Sequence, residues 1–168
     1  MMIILNLVHI LAGVFWAGAT LLLTFFVAPA IEAAGPGGGL IMQKLVKGTR
    51  FPLAMMLSGV LTILSGLSMF WLVSGGLSAA WMASNHGIAI TLGGGAGILA
   101  AILGGAMSGR ATRRLGALMQ EIQASGKQAG PEQQAEIKAL QVTMRRGSLA
   151  GALCILIALI GMSVARAV

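Results

Sequence analysis

The segment MMIILNLVHILAGVFWAGATLLLTFFVAPA, residues 1–30, contains no Lys, Arg, Asp or Glu. A helix needs about 20 predominantly apolar residues to cross the hydrocarbon core of a bilayer. The segment is longer than the hydrophobic part of a secretory signal peptide, about 7–15 residues, and no basic residues precede it. We therefore predict a transmembrane helix that remains in the mature protein.

Three more apolar segments follow, and they set the fold class. The chain has 168 residues, of which 57% are hydrophobic and 9% are charged, whereas roughly a quarter of the residues of a soluble domain are charged. We predict an all-α membrane protein, a single domain over residues 1–168. It is a bundle of four transmembrane helices at about residues 3–30, 51–73, 87–109 and 148–165.

The basic residues predict the orientation of this bundle. Ten of the eleven, all except Arg166, lie in the two connections that share one side of a four-span chain: Lys44, Lys47, Arg50, Arg110, Arg113, Arg114, Lys127, Lys138, Arg145 and Arg146. The opposite connection, residues 74–86, has no charged residue. The positive-inside rule places the basic connections in the cytoplasm and both termini outside. The net charge of +7 therefore indicates topology and attraction to anionic lipid, and we expect no nucleic-acid partner.

The two basic connections also have internal patterns. Residues 33–39 are rich in glycine and predict a flexible turn, and residues 40–50 predict a short interfacial helix whose lysines reach lipid headgroups. In residues 110–147, apolar residues recur at helical spacing on both sides of a turn at 125–131. This pattern predicts that the third and fourth helices continue into the cytoplasm as an antiparallel hairpin, a possible docking site for a protein partner. Two helices lying flat on the membrane are the alternative.

The third helix, residues 87–109, contains eight glycines, seven of them between positions 93 and 109. Gly93 and Gly97 form a GxxxG step, as do Gly105 and Gly109, and such steps allow helices to approach closely. The glycines therefore favour close packing within the bundle, with a homodimer seam or contact with a flat cofactor as alternatives.

His9 and His86 are the two histidines, and both are predicted in the outer half of the bundle. A histidine inside a membrane is costly unless it has a partner, so it is a candidate functional residue. His9 belongs to a polar stripe at helical spacing, which we expect to face the bundle interior. The stripe consists of Asn6, His9, Gly13, Trp16, Thr20 and Thr24. Ser84, Asn85 and Arg166 could bind an anionic group at the same end.

Two imidazoles suit the iron of haem b, and imidazole with thioether suits copper. Copper is an alternative because several methionines are predicted near the outer helix ends, namely Met1, Met2, Met69, Met82 and Met162. The sequence contains no Asp, no P-loop and no CxxC motif. No carboxylate lies in a predicted span, which argues against an ion pump. We interpret Cys154 as a small buried apolar side chain.

Residues 7–18, LVHILAGVFWAG, contain the pattern H-x6-W-x-G at His9, Trp16 and Gly18. This stretch resembles the first helix of a group of bacterial inner-membrane proteins. The group comprises the copper-resistance protein D family, the membrane-type protoporphyrinogen oxidases and small four-helix families without assigned function. The resemblance extends loosely to Arg50, Phe51 and Pro52, and in length the chain is most similar to the small families. It implies a metal or haem ligand at His9, although the functional lysine in helix three of the oxidases has no counterpart here.

Three functions remain open from the sequence. The first is a small membrane cytochrome that holds haem b between His9 and His86, with Asn6, Gly13, Trp16 and Arg166 nearby, for electron transfer or redox sensing. The second is a copper-binding or copper-transport protein. The third is a membrane scaffold that docks a partner through the cytoplasmic hairpin. Whether the chain catalyses a reaction is not determined by these patterns.

Overall fold

The structure is a computed structural model that describes residues 1–167, with all side chains except those at positions 36, 37, 39 and 40. The described residues form helices and no strand. Four helices are long and apolar enough to cross a membrane: Met2–Ala33, Phe51–Val73, Asn85–Ser125 and Pro131–Val164. The predicted all-α class and the four candidate spans are therefore confirmed, and the chain is a multi-pass membrane protein.

The first of these helices is continuous but changes register near its end. It consists of α1 (Met2–Leu22), a π-helical turn (Leu23–Val27) and α2 (Ala28–Ala33). Pro29 is the second residue after the π turn. Because proline cannot donate a backbone hydrogen bond, the regular ladder is interrupted at this point. Between the first two candidate spans lies α3 (Pro36–Lys47).

The prediction of a flexible turn over residues 33–39 is wrong for residues 36–39. The backbone is helical from Pro36 onward, so α3 begins before the predicted position 40. Pro36 occupies the first helical turn, where its fixed φ angle and missing N–H are tolerated. The glycines that follow it are thus part of a helix, despite their low intrinsic helix propensity.

The second candidate span, α4 (Phe51–Val73), leads through a tight turn into α5 (Ala79–Met82). In this turn Gly75, Gly76 and Leu77 all have positive φ angles. The hydroxyl of Ser74 accepts a hydrogen bond from the amide of Leu77 at 2.9 Å, which stabilises the turn. The reversal thus sends the chain back beside the end of α4.

The third and fourth candidate spans are the longest. The third consists of α6 (Asn85–Leu103), a π-helical turn (Gly104–Ser108) and α7 (Gly109–Ser125), and the fourth is α8 (Pro131–Val164). Ala111 and Leu118 of α7 are buried, and Arg114 makes a two-point contact with Glu136 of α8, at 2.7 and 3.2 Å. The chain between 110 and 147 therefore consists of two helices packed on each other.

The helices associate as two pairs. α1 packs mainly on α4, and α6 packs mainly on α8, while α1 also contacts α8 and α4 also contacts α6. Within residues 1–167, no Cα atom of α1 lies within 8 Å of a Cα atom of α6, so these two helices are not direct neighbours. A small buried cluster of Ala17, Ala100 and Ile155, with Trp16 packed against it, joins both pairs near the middle.

Glycines allow α6 and α8 to approach until their backbones touch. A Cβ atom added to Gly161 would lie 3.0 Å from the Cα of Gly93, and one added to Gly93 would lie 3.2 Å from the carbonyl oxygen of Ala158. The Cβ position of Gly97 is 3.8 Å from the Cβ of Ala158. The first GxxxG step of the sequence is therefore used within the chain, against α8.

This contact gives a stability prediction. We expect Gly161→Ala to lower the melting temperature of the purified protein, because the new methyl group meets backbone atoms that cannot rotate away. Overpacking of this kind costs about 1–3 kcal/mol. Gly97→Ala is the matched control: its methyl group finds ordinary contact distance and raises helix propensity. Equal melting temperatures for the two variants in the same detergent would contradict the close approach.

Candidate functional site

His9 lies in the interface between α1 and α4. Its Nδ1 is 2.8 Å from the carbonyl oxygen of Thr62. Because a carbonyl oxygen only accepts, Nδ1 carries the proton and donates it. The hydroxyl oxygen of Ser65 lies 3.3 Å from the same nitrogen. In a neutral ring this arrangement leaves the lone pair on Nε2 available as an acceptor or ligand.

The imidazole packs directly over a glycine of α4. A Cβ atom on Gly66 would lie 2.9 Å from Cε1 of His9, so a larger residue at position 66 would displace the ring. The contact belongs to an antiparallel register in which His9, Gly13 and Trp16 meet, in reverse order, the residues Gly66, Thr62 and Gly59. The predicted polar stripe of α1 thus faces α4 over its middle part.

The other residues of the stripe have different surroundings. Asn6 is exposed, one turn before His9, so it lies outside the α1–α4 interface. Thr20 is partly buried, and its hydroxyl donates to the carbonyl oxygen of Trp16 at 2.8 Å. Thr24 is partly buried within the π turn. The contacts of the stripe with α4 described above are therefore those of His9, Gly13 and Trp16.

His86 lies in the first turn of α6 and is held by the end of α8. Its Nδ1 donates to the carbonyl oxygen of Ala165 at 2.5 Å. The edge of its ring meets Trp81, with ring centroids 5.9 Å apart at an angle of 77°. Like the Nδ1 of His9, the Nδ1 of His86 is hydrogen-bonded to a backbone carbonyl of another segment. In a neutral ring Nε2 is then the nitrogen that can act as an acceptor or ligand.

An aromatic contact links the surroundings of the two histidines through α4. Phe70 of α4 lies one turn beyond Gly66 and makes an edge-on contact with Trp81, with ring centroids 5.4 Å apart. Trp81 in turn contacts His86. The structure thus places both histidines at the same end of the bundle. Each imidazole, however, is held by a different helix pair, and within residues 1–167 the backbones of α1 and α6 have no Cα atoms within 8 Å of each other.

The predicted polar residues around His86 have mixed roles. The Ser84 hydroxyl donates to the carbonyl oxygen of Trp81 at 2.7 Å and accepts from the amide of Gly87 at 3.0 Å. It therefore caps α6, and the expectation that it would donate to an external anion is wrong, because its one proton is used. Asn85 is exposed. Arg166 is exposed, directly after the Ala165 carbonyl that holds His86.

The donor set around the histidines is small. In the described part of the chain, no three His, Cys, Asp or Glu side chains lie together in a way that could hold a metal ion. Met82 precedes His86 by one turn, and its sulfur lies 4.0 Å from the hydroxyl of Thr91. Cys154 is partly buried and packs against the mid-bundle cluster, in agreement with a structural role.

Sequence reasoning missed the α4 side of the site. Ser58, Gly59, Thr62 and Ser65 are buried, and they form a face of small and hydroxyl residues that receives the bulky residues of α1. Their spacing of three to four residues in an apolar span was the available signal. Pairing that face with the polar stripe of α1 would have identified Thr62, Ser65 and Gly66 as neighbours of His9.

Comparisons with protein-family models, with curated proteins and with solved structures found no match for this chain. The assignment of a function therefore depends on the two histidines and their surroundings.

Proposed function

We propose that this protein is a small membrane cytochrome, in which His9 and His86 would hold one haem b. The observation that carries the proposal is shared by both rings: each Nδ1 donates to a backbone carbonyl, of Thr62 or of Ala165. Histidines that ligate metals commonly donate the other ring N–H in this way, which fixes the ring and leaves Nε2 for the metal.

The number of protein ligands also favours haem over a bare metal ion. A porphyrin supplies the equatorial nitrogens of its iron, so two imidazoles complete the coordination, and the bound group supplies one-electron redox chemistry. α1 and α6 are not direct neighbours. A planar group held between these helices would not break a direct contact between them. Two histidine ligands would leave no position at the iron for a substrate, so the role we propose is electron transfer or redox sensing.

Other residues of the chain have supporting roles in this proposal. Gly66 leaves space for the ring of His9, while Gly13 and Trp16 continue the face that holds α1 on α4. Arg166, exposed beside the end that holds His86, would pair with a carboxylate of the cofactor. Asn6 lies one turn above His9 and is available for a polar group at the membrane surface.

The proposal includes an orientation. The basic connections lie in the cytoplasm of a bacterium, both termini lie outside its inner membrane, and the chain is related to the group containing the copper-resistance protein D family. The positive-inside rule and the pattern H-x6-W-x-G support this placement. The packed helices between 110 and 147 then form a cytoplasmic hairpin that could dock a protein. Four glycines of α6 and the π turn after it have open space at their Cβ positions and are available for a homodimer seam: Gly94, Gly95, Gly104 and Gly105.

Copper is the second candidate, because Met82 lies one turn from His86 with its sulfur turned toward α6. A scaffold without a cofactor is the third candidate, and it would use the same His9–Thr62 hydrogen bond only to join two helices. In that case the function would be the docking of a partner protein by the hairpin.

The absorption spectrum of purified protein, expressed with haem supplied, separates these candidates. We expect a Soret band with sharpened visible bands on reduction, and close to one haem b per chain by the pyridine assay. Metal analysis of the same sample measures copper. Absence of a Soret band would refute the cytochrome. Bound copper that is lost on His9→Ala would instead support the second candidate. Deleting 111–146 should leave the haem in place, whereas a scaffold would lose its partner.

A further inference from the structure

α3 carries a basic groove on its exposed face. The groove has a volume of about 300 Å³ and is lined by Gln43, Lys44, Lys47 and Gly48. Lys44 and Lys47 belong to the last turn of the helix, where cations complement the helix dipole. The groove is shallow and open, and Lys44 and Lys47 beside it are exposed, so both ammonium groups are accessible at the surface of α3.

The positive charge of the groove is not neutralised by the protein. In the described part of the chain, both ion pairs are made by Arg114, with Glu121 and with Glu136. Lys44 and Lys47 are exposed and take part in neither. The groove is thus complementary in charge to an anion that carries more than one oxygen acceptor, such as a phosphate.

The position of α3 indicates where that phosphate comes from. α3 connects two candidate membrane spans, and it presents exposed apolar side chains together with the basic groove, since Ile41 and Val46 are 63% and 36% exposed. A helix of this composition lies in the membrane interface, with its apolar residues among acyl chains and its lysines at headgroup level. Soluble phosphate would use the lysines but not the apolar residues.

Gly48, the residue directly after α3, lines the groove and is tightly packed against the helix end. A Cβ atom on Gly48 would lie 2.7 Å from the carbonyl oxygen of Lys44, so only glycine fits at this position without moving the helix end. Gly48 therefore allows the chain to leave α3 directly beside Lys44 and continue toward α4. Because Gly48 also lines the groove, a larger residue at this position would change the shape of the groove.

We propose that this groove binds the headgroup phosphate of an anionic phospholipid, in the leaflet that faces the basic connections. Gln43, Lys44 and Lys47 contact the phosphate, and the acyl chains lie along the apolar side chains of α3. The site is separate from the two histidines and does not depend on the cytochrome proposal. Basic residues at the ends of membrane spans commonly recognise anionic lipids in this way.

The test compares the thermal stabilisation of detergent-purified protein by phosphatidylglycerol with that by phosphatidylcholine of the same chain length. We expect phosphatidylglycerol to stabilise the wild type more, and Lys44→Gln/Lys47→Gln to weaken its apparent affinity roughly 25-fold. Lys127→Gln/Lys138→Gln is the matched control, since it removes the same charge elsewhere and should leave the affinity unchanged. Lys44→Arg/Lys47→Arg should retain most of the effect, because the charge remains.

Each outcome decides the proposal. An equal loss in both glutamine variants would show a diffuse charge effect and overturn the site, as would a double variant at Lys44 and Lys47 that responds like wild type. Stabilisation of the wild type by inorganic phosphate alone, to the same extent as by the lipid, would overturn the choice of a lipid ligand. The haem spectrum of the same samples is read separately, so failure here is distinguishable from failure of the cytochrome.

Discussion

Replacing His9 by alanine is expected to abolish the low-spin haem spectrum that the cytochrome proposal requires. The substitution removes one axial ligand, so iron that remains bound becomes five-coordinate and its reduced visible bands broaden. His86→Ala should give the same spectral change, because it removes the other proposed ligand. His9→Ala/His86→Ala should bind no haem. Absorption spectra of the oxidised and reduced proteins, normalised to protein concentration, provide the measurement.

A merely structural role for His9 would give a different result. Adding free imidazole to His9→Ala should restore the low-spin spectrum if the side chain ligates iron, because the ring can occupy the space left by the histidine. It should restore nothing if the histidine only joins α1 to α4. Ser65→Ala is the control within the site: it removes a hydroxyl 3.3 Å from Nδ1 but leaves the Thr62 carbonyl in place. That variant should retain its haem. A His9→Ala protein with an unchanged spectrum would contradict the ligand assignment.

The four apolar helices could be predicted from the sequence because the physics that selects them is local. A segment such as 51–73, without a single charged residue, has few alternatives to a helix in a membrane, where every backbone polar group must be satisfied within the segment. The sequence also located both histidines at one end of the bundle. The link from Gly66 through Phe70 and Trp81 to His86 agrees with that prediction.

The pairing of the helices could not be predicted in the same way. The glycine-rich sequence of residues 87–109 left intramolecular packing, a dimer seam and a cofactor surface all open. Which glycines touch α8 depends on the rotation of two long helices about their axes, and this is set by the sum of many weak contacts. The structure shows that Gly93 packs on α8, while Gly94, its neighbour in sequence, meets nothing within 4 Å.

The hydrogen-bond partners of the histidines could not be predicted from the sequence either. Both acceptors, at Thr62 and Ala165, are backbone carbonyls, and a carbonyl carries no side-chain signature. In a regular helix most carbonyls are already bonded within the helix, so a second donor is accommodated by the remaining lone pair. The sequence could therefore indicate that His9 needs a partner, but it could not indicate which residue provides it.

Gly87→Ala is expected to be the most destabilising glycine substitution in the chain's outer half. Gly87 is buried, and a Cβ atom there would overlap the carbonyl oxygen of Trp81 and lie 2.9 Å from its carbonyl carbon. The Gly87 amide also donates to Ser84, which caps α6. The methyl group can be accommodated only if α5 moves away from α6, which separates Trp81 from Phe70 and from His86.

We expect this variant to lose roughly 1–3 kcal/mol or more of stability, the usual cost of forcing extra atoms into a packed site. Gly94→Ala is the matched control on the same helix. Its methyl group meets nothing within 4 Å, so it should be neutral or stabilising, since alanine is the better helix former by about 0.5–1 kcal/mol. Thermal unfolding in detergent should therefore rank Gly87→Ala below wild type and Gly94→Ala at or above it. Because the contacts of His86 depend on this turn, Gly87→Ala should also release haem more readily than Gly94→Ala. Identical melting curves for the two variants would show that Trp81 is free to move, and that the aromatic contact does not fix the position of His86.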